Sequence, residues 1–397
     1  MSYISRNAEE LFTRYRKLFP CVAVTGPRQS GKSTMLRHAQ PNTPYVSFDD
    51  PDEEYAFRND PKAFLSRFTD SVIFDEAQRV PELFRYIKMA VDAEPQRKGR
   101  FILSGSNQLS FQKGISESLA GRIGLMSLLP FETEEIPSAF RAGQLLHGSY
   151  PALVVDEYEG SREWYTSYFG TYIEKDVRLV FDIGKLSDFQ RLVRLLTARV
   201  AQEQNSASLS RELGINAKTI ESWISVLEAG YLIFRLEPFH GNIGKRLIKR
   251  PKVFFWDTGL VCHLTGQRTE EALEGGPLAG PVFETLIVSE LLKKTLHQGA
   301  DRAFSFYRDN AGNEIDLIVH DRDENIVSFL EIKSAQTAKA EWAYRLEKTT
   351  EGITAALAGP LASSRYIIVY RGKTKPDWPK KGISFVNWQE LLLLRPS

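Results

Sequence analysis

The sequence has few cysteines and no long hydrophobic run. Cys21 and Cys262 are the two cysteines of the chain, and neither has the spacing of a metal site, so we expect no disulfide or zinc site to stabilise the fold. No apolar run approaches the ~18 residues of a membrane span, and residues 8–19 are typical of an amphipathic helix rather than a signal peptide. These absences favour a cytoplasmic protein with no membrane partner.

The sequence also has almost no excess charge. Its 51 Lys and Arg residues balance 50 Asp and Glu residues, so an attraction to nucleic acid would have to come from a local patch. Because one core rarely organises more than about 300 residues, a chain of 397 residues is expected to form several domains. Changes of pattern along the chain predict the domains 1–135, 136–186, 187–262 and 263–397.

The order of strand-like and helix-like segments predicts the fold class. Short β-rich runs alternate with helical stretches in residues 20–135, which indicates a parallel sheet flanked by helices. Residues 138–182 are helical and rich in aromatic side chains, as in a packed helical subdomain. Residues 187–262 resemble a winged helix-turn-helix, and a small α/β domain is expected after the Gly- and Pro-rich segment 266–281. The predicted class is a multidomain α/β protein.

A phosphate-binding motif follows the first β-rich run. Residues 26–33, GPRQSGKS, match G-x-x-x-x-G-K-S/T between the strand-like CVAVT and a helical stretch. Backbone N–H groups and the helix N-terminus hold phosphates in such a loop. Lys32 is expected to reach the β- and γ-phosphates of ATP and Ser33 to bind Mg²⁺, while a tight turn without a ligand is the alternative. The predicted nucleotide contacts are Gly26, Pro27, Arg28, Gln29, Ser30, Gly31, Lys32, Ser33 and Thr34.

Two acidic residues end the hydrophobic run VIFDE. Asp75 is expected to hold the magnesium ion, and Glu76 to orient and polarise the attacking water as general base. This pair predicts ATP hydrolysis and not binding alone. A third strand-like run, residues 101–103, leads to Ser106 and Asn107, which could sense the γ-phosphate. Ordinary turn formation is the alternative for these two residues.

Segments along nearly the whole chain resemble a bacterial and archaeal family of AAA-type ATPases whose C-terminal half has no defined role. The similar segments include GPRQSGKST, VIFDEAQ, ILSGSNQ, SLAGRI, GPVFETLIVSEL, FYRDNAGNEIDLIV and LEIKSA. The resemblance implies an AAA-type core, a helical lid, a winged helix and a C-terminal fold similar to PD-(D/E)XK nucleases, in a homo-oligomer. It also implies that Arg122 is an arginine finger for a neighbouring subunit, with a salt-bridge arginine as the alternative.

The C-terminal part contains an acidic pattern of its own. Asp316 lies in EIDLIV, and Glu331 and Lys333 lie two apart in FLEIKS, so these two share one face of a strand. Together with Glu284, the carboxylates could hold Mg²⁺ against a phosphodiester while the lysine activates water or stabilises charge. The pattern matches the D…(D/E)-x-K of PD-(D/E)XK nucleases. Salt bridges on a solvated hairpin, or an inactive binding module, are the alternatives.

A basic segment surrounds the predicted wing. It carries one acidic residue, Glu237, and six basic residues, Arg235, Lys245, Arg246, Lys249, Arg250 and Lys252. Such a segment could contact the phosphates of DNA. The preceding helix has little arginine for reading bases, so a hairpin used for packing or subunit contacts is the alternative.

Two functional hypotheses follow from these residues. In the first, an ATPase couples its nucleotide state to a nuclease-like module that acts on DNA, because one chain carries two acidic sites. In the second, an ATP-controlled remodelling or regulatory protein carries a nuclease-like fold that is catalytically silent. Convergence of the four C-terminal candidate residues on one cleft would favour chemistry, and dispersion would favour binding.

Overall fold

The structure is a computed structural model that describes residues 3–105, 118–172, 186–239, 250–354, 363–374, 376 and 382–393. Within these ranges the strands form three sheets. The strands are β1 Cys21–Thr25, β2 Tyr45–Ser47, β3 Val72–Asp75, β4 Phe101–Gly105, β5 Ile123–Ser127, β6 Gln202–Glu203, β7 Ile233–Leu236, β8 Lys252–Phe255, β9 Arg302–Arg308, β10 Glu314–Asp321, β11 Ile326–Lys333, β12 Ser363–Tyr370 and β13 Ile383–Asn387.

Helices cover much of the remaining described chain. They span Ala8–Leu18, Lys32–Ala39, Pro51–Asn59, Pro61–Ser66, Leu83–Ala93, Gln144–His147, Pro151–Val155, Ser161–Tyr172, Leu186–Ala198, Ser206–Leu213, Ala217–Ala229, Thr258–Thr265, Glu270–Glu274, Ala279–Gln298, Ala340–Thr354 and Trp388–Leu393. Short 3₁₀ helices span Ala77–Arg79 and Arg141–Gly143. Across the described ranges, no helix has the length and apolar character needed to cross a membrane.

The first sheet forms the core of the N-terminal region. Its strand order is β2-β3-β4-β1-β5, and all neighbouring strands are parallel. Every residue of β1, β3 and β4 is buried, as expected for apolar strands with helices on both faces. Helix Ala8–Leu18 buries Leu11 and Phe12 against one of these faces. The parallel α/β core expected from the sequence is confirmed.

Aromatic side chains pack together in the helical segment that follows. Trp164 and Tyr168 of helix Ser161–Tyr172 stack with their ring centroids 4.9 Å apart, and the hydroxyl groups of Tyr150 and Tyr168 are 2.7 Å apart. The rings belong to one large apolar cluster. The predicted aromatic core is confirmed here, while residues 173–182 of the predicted helical segment lie outside the described residues.

Two helices and a small antiparallel sheet come next. Helix Ala217–Ala229 begins after Asn216, whose side chain accepts a hydrogen bond from the Lys218 N–H at 2.8 Å, as the sequence predicts for an N-cap. The sheet has the strand order β6-β8-β7, with antiparallel neighbours. Strand β8 is therefore held by hydrogen bonds on both of its edges.

Only part of the basic segment around this sheet is free to form a positively charged surface. Lys252, the first residue of β8, is 3% exposed, so its predicted contribution to a phosphate-binding surface is wrong. The Arg235 guanidinium lies 2.7 Å from the Glu228 carboxylate, which neutralises the charge of the arginine. Lys245, Arg246 and Lys249 lie outside the described residues.

The C-terminal domain is built on a mixed sheet. Its strand order is β13-β12-β11-β10-β9, with antiparallel pairs between β9, β10 and β11 and parallel pairs between β11, β12 and β13. Helices Ala279–Gln298 and Ala340–Thr354 cover opposite faces, since the consecutive Phe329 and Leu330 belong to different buried clusters. The register between β9 and β10 shifts beside Asp316, where the strand forms an irregularity.

Helix Ala279–Gln298, called the bridging helix below, also joins the C-terminal domain to the segment after β5. Glu290 accepts hydrogen bonds from the Thr133 N–H at 2.6 Å and from the Thr133 hydroxyl at 2.8 Å. Its other carboxylate oxygen lies 2.7 Å from the Lys293 ammonium. Because all of these groups are buried, removing one partner would leave an uncompensated charge, and the contact is therefore fixed.

Candidate functional site

The loop between β1 and the next helix has a backbone suited to holding phosphates. Gly26 and Gly31 have positive φ angles of 147° and 89°, and Gln29 has one of 60°. A Cβ atom on Gly26 would lie 2.1 Å from the Leu128 carbonyl oxygen, so this position requires glycine. Helix Lys32–Ala39 starts directly after Gly31, and its first N–H groups are available to an anion.

Lys32 and Ser33 occupy the start of this helix. The Lys32 Nζ donates to the carbonyl oxygens of Gly26 at 3.0 Å and Pro27 at 2.8 Å. The Ser33 Oγ donates to Asp75 Oδ2 at 2.8 Å, so the two predicted magnesium ligands meet although they lie on different elements. Hydroxyl and carboxylate oxygens are ligands that Mg²⁺ prefers, and this donor set fits the ion.

Asp75 is surrounded by neutral hydroxyl groups. In addition to Ser33, the hydroxyl groups of Tyr45 on β2 and Ser104 on β4 donate to its carboxylate. Asp75 is 7% exposed and ends β3, so the sheet order places it between these two neighbours. Sequence reasoning missed Tyr45 and Ser104, although Ser104 lies in the strand that leads to the predicted sensor residues.

Glu76 turns away from the strand. Its φ of 52° and ψ of 38° place it in the left-handed region, and the Gln78 side-chain amide donates to its carboxylate. Burial raises the pKa of Glu76 above its ordinary value, and Asp75 adds to this effect while Lys32 opposes it. A raised pKa brings a carboxylate closer to the range that suits a general base near neutral pH.

The loop, Glu76 and helix Ser161–Tyr172 border one cavity of about 470 Å³. Its lining residues are Arg28, Gln29, Gly31, Lys32, Ser33, Thr34, Glu76, Ser167, Tyr168 and Thr171. The last three come from helix Ser161–Tyr172, and no local pattern in the sequence indicates that this helix approaches the loop. Ser106 and Asn107 lie outside the described residues, so their sensor role stays a prediction.

Arg6 supports the loop from the protein interior. Its guanidinium donates to the Ser30 carbonyl oxygen at 2.8 Å, the Leu129 carbonyl oxygen at 2.7 Å and Glu135 at 3.1 Å. It also lies 4.8 Å from the centroid of the Phe131 ring and is 4% exposed. The sequence gives no sign of this role, because every partner is distant along the chain.

Arg122 lies at the opposite edge of the sheet from the loop. Its Nε is 2.6 Å from Asp92, and its carbonyl oxygen accepts a hydrogen bond from the N–H of Cys21, the first residue of β1. The phosphate loop follows the other end of β1, so Arg122 does not approach the cavity of its own chain. A role at a neighbouring subunit stays a prediction, and the surface ion pair matches the alternative.

The four C-terminal candidates lie in one cluster. The Lys333 Nζ is 2.6 Å from Glu331 and 3.5 Å from Asp316, which also accepts a hydrogen bond from the Ile332 N–H at 2.6 Å. This last bond satisfies an N–H beside the irregularity in β10. Glu284 on the bridging helix interacts electrostatically with Asp316 and with Lys333. The four candidate residues therefore lie close together and are not dispersed.

Burial and neighbouring charges shift the pKa values of two of these carboxylates. Burial, together with the charge of Asp316, raises the pKa of Glu284 to about 8, while Lys252 opposes the shift. Burial and Asp316 also raise the pKa of Glu331 to about 7, and Lys333 opposes this shift. Carboxylates with raised pKa values are common at functional sites, but ion-pair networks produce them too.

Two members of this cluster, Lys252 and Glu314, are not among the residues that the sequence predicts for it. Lys252 reaches in from β8, with its Nζ 2.9 Å from Glu284 and 2.6 Å from Glu314. Its ammonium also lies 5.3 Å from the centroid of the Phe306 ring. A lysine at the start of the apolar strand KVFF is the one sequence signal, since lysine is rarely buried unless it is paired.

A separate buried group contains Glu132, Glu135 and His297, whose ligand atoms lie within 4.8 Å of one another. The Leu129 N–H donates to His297 Nε2 at 3.0 Å, so Nδ1 carries the proton and donates to Glu132 at 2.6 Å. Glu135 accepts hydrogen bonds from Arg6 and from other N–H groups. Protein donors thus occupy these atoms, and the group is a structural hydrogen-bond network.

Comparison with known families divides the chain into three matched regions. Residues 19–137 match the family described as an AAA domain. Residues 142–271 match a domain of unknown function, DUF8612, and residues 279–391 match another, DUF4143. The nucleotide cavity lies mainly in the first region, and the acidic cluster lies mainly in the third.

Two mycobacterial proteins are similar over most of this chain. They are the uncharacterized proteins Mb2031c of Mycobacterium bovis and Rv2008c of Mycobacterium tuberculosis. Each is 30% identical over 316 residues, which cover 79% of this chain and 70% of the relative. The similarity therefore extends well beyond the AAA domain.

Solved structures show weaker similarity. A Walker-type ATPase of Pyrococcus abyssi is 18% identical, with a TM-score of 0.46 over 66% of this chain and 96% of that one. The RuvB Holliday junction branch migration motor of Thermotoga maritima is 15% identical, with a TM-score of 0.31 over 68% of this chain and 93% of that one. At these scores neither structure supports a conclusion about this chain.

Proposed function

This chain belongs to the same family as the two mycobacterial relatives, and because its residues 19–137 match the AAA domain, we propose that it is a magnesium-dependent ATPase whose nucleotide state controls its C-terminal domain. The observation that carries the proposal is that three predicted residues line one cavity and a fourth is hydrogen-bonded to one of them. Lys32, Ser33 and Glu76 line this cavity, and Asp75 accepts the Ser33 hydrogen bond.

Each of these residues has a distinct role in hydrolysis. Lys32 binds the β- and γ-phosphates, and the glycines of the loop allow backbone N–H groups to approach them. Ser33 and Asp75 would hold the magnesium ion, which supplies charge neutralisation for the phosphates when it is bound. Glu76, with its raised pKa, accepts a proton from the attacking water.

Two contacts could carry the nucleotide state beyond the AAA domain. The Tyr231 hydroxyl lies 2.7 Å from the hydroxyl of Thr25, which ends β1, and 3.1 Å from that of Ser127, which ends β5. Tyr231 lies two residues before the start of β7. The bridging helix provides the second contact, since it reaches from the segment after β5 to Glu284 in the acidic cluster.

A Glu76→Gln variant tests the ATPase proposal. We expect ATP affinity, measured by calorimetric titration, to stay near that of the unaltered protein, while steady-state phosphate release falls by about 10²-fold or more. Glu10→Gln, an exposed change on the first helix, is the matched control. Normal turnover by Glu76→Gln would remove the assigned role, and absence of any ATP binding by the unaltered protein would remove the proposal.

We also propose that the C-terminal module has a PD-(D/E)XK-like fold and interacts with DNA. Asp316, Glu331 and Lys333 on adjacent strands support this role, together with the predicted winged helix beside them. Hydrolysis of a phosphodiester would use the two carboxylates to hold a divalent ion and the lysine to stabilise charge. Oligomerisation of the AAA domain would place Arg122 near a second subunit.

A catalytically silent module is the second candidate, and the buried Lys252 favours it. This lysine already compensates the carboxylates of Glu284 and Glu314. Incubation of DNA with Mg²⁺ and the unaltered protein, Asp316→Ala or Glu331→Ala separates the two candidates. Cleavage that is lost in both variants but kept in the exposed Asp323→Ala control supports the nuclease role. Equal cleavage in all four proteins indicates contamination, and no cleavage supports the silent module.

A further inference from the structure

The acidic cluster of the C-terminal domain contains a cation that comes from outside that domain. Lys252 belongs to β8 of the three-stranded sheet, and its side chain is 4% exposed. Its Nζ lies 2.9 Å from the Oε1 of Glu284 and 2.6 Å from the Oε1 of Glu314. These are direct ion pairs with two carboxylates at once, which is the arrangement that a metal ion also produces.

The backbone holds Lys252 in place from both sides. It pairs with Glu203 on β6 and with Leu236 on β7. The chain after β7 joins the C-terminal sheet, because the Phe306 N–H donates to the Glu237 carbonyl oxygen at 3.1 Å and the Phe239 N–H donates to the Phe306 carbonyl oxygen at 2.6 Å. The ammonium group is therefore delivered to the cluster by a hydrogen-bonded frame and not by a mobile surface side chain.

The charges of the cluster are divided between two lysines. Lys333 compensates Glu331 and Asp316, whereas Lys252 compensates Glu284 and Glu314 and also interacts favourably with Asp316. A divalent ion held by Glu284 and Asp316 would lie beside the Lys252 ammonium. Like charges repel strongly where water is scarce, so the two cations compete for the same carboxylates.

We infer that Lys252 is a resident cation that takes the place of a divalent metal ion beside Glu284, Glu314 and Asp316 and keeps the C-terminal cluster free of metal. This inference deepens the silent-module candidate of the proposed function and names the residue responsible. It predicts that the cluster gains metal affinity when the ammonium is removed. Lys252→Met removes the charge while keeping an unbranched side chain of similar length.

Binding of Mn²⁺ to the full chain, followed by electron paramagnetic resonance without nucleotide, tests the inference. All proteins carry Asp75→Asn, so that the nucleotide site lacks the carboxylate proposed to hold its metal ion. With Lys252 present we expect no uptake that depends on Asp316. In Lys252→Met we expect Mn²⁺ to bind at least about tenfold more tightly than in the protein with lysine. We expect Asp316→Asn to abolish this binding. Lys252→Arg, which keeps the cation, is expected to behave as the protein with lysine does.

Two results would overturn the inference. One is Mn²⁺ binding that is present with Lys252 in place and lost on Asp316→Asn. The other is a folded Lys252→Met protein with no gain in affinity. If Lys252→Met does not fold, the protein with Lys252 is still compared with and without Asp316→Asn. Mn²⁺ uptake that Asp316→Asn abolishes overturns the inference, and the absence of such uptake supports it. ATP titration of the chain with Asp75 intact separates this result from failure of the ATPase proposal.

Discussion

The nucleotide cavity and the C-terminal acidic cluster both combine lysines with carboxylates, but they place the charges differently. At the cavity, Lys32 donates to backbone carbonyl oxygens, and Asp75 accepts from hydroxyl groups. In the C-terminal cluster, Lys333 and Lys252 bond directly to carboxylates. These hydrogen bonds join charged groups to neutral partners at the first site, whereas the ion pairs of the second site join charged groups to each other.

This difference bears on which ligands each site can accept. A lysine held by carbonyl oxygens keeps its full positive charge for a phosphate, and a carboxylate held by hydroxyl groups keeps its charge for Mg²⁺. A lysine already paired with a carboxylate must lose that pair before it meets a new anion. Buried ion pairs are lost only with a large penalty when one partner is withdrawn. The cavity is thus arranged for a charged ligand, and the cluster is arranged to be self-compensated.

Lys32→Ala should produce the largest effect and would break the comparison on the nucleotide side. Removing the ammonium leaves the phosphates without their closest cation, so we expect turnover to fall by about 10³-fold and ATP affinity to weaken as well. Steady-state phosphate release and calorimetric titration measure the two quantities. Lys17→Ala, an exposed change on the first helix, should leave both unchanged. Retained activity in Lys32→Ala would show that its carbonyl contacts are structural.

Arg6→Ala should have the next largest effect, because it removes a buried cation that supports the nucleotide loop. Glu135 and the Ser30 carbonyl oxygen would both lose a donor. We expect the free energy of unfolding to fall by about 3–5 kcal/mol and ATP binding to weaken. Urea unfolding and ATP titration provide the measurements. Arg58→Ala, which removes two exposed ion pairs, should cost no more than about 1 kcal/mol. Equal losses in the two variants would contradict the assignment.

The sequence predicted those parts of both sites that depend on local pattern. The phosphate loop is a contiguous motif, and Asp75 and Glu76 end one apolar strand, so their roles could be assigned without tertiary information. Glu331 and Lys333 share a strand face because side chains alternate. The parallel sheet of the AAA domain also follows from the succession of buried strands and helices. These predictions concern residues whose neighbours along the chain determine their placement.

The remaining site residues depend on contacts between distant segments. Arg6 meets Glu135 across 129 positions, and helix Ser161–Tyr172 reaches the cavity without any motif. The charge pattern places Lys252 on a basic surface, because charge alone does not reveal whether a lysine at the start of an apolar strand is buried against carboxylates. Only the pairing of β8 with both neighbours decides this. Tertiary packing therefore overrides composition at these positions.

The two lysines do not compensate every carboxylate of the C-terminal cluster. The dependence of stability on pH should show this, with a smaller effect than the two substitutions above. The pKa of Glu284 is raised to about 8, so the folded protein holds a proton that the unfolded chain releases near pH 4.3. The free energy of unfolding should consequently decrease as pH rises from about 5 to about 8. Glu331, whose pKa is raised to about 7, contributes with the same sign.

Glu284→Gln tests this prediction because it keeps the volume of the side chain and removes its titration. Urea unfolding at several pH values should give a shallower decrease of stability for Glu284→Gln than for the unaltered protein, since one of the two titrating groups is gone. The exposed Glu341→Gln should follow the unaltered protein. Parallel pH profiles for all three proteins would mean that Lys252 keeps Glu284 ionised over this whole pH range. The two lysines would then compensate the cluster more fully than two cations beside four carboxylates would suggest.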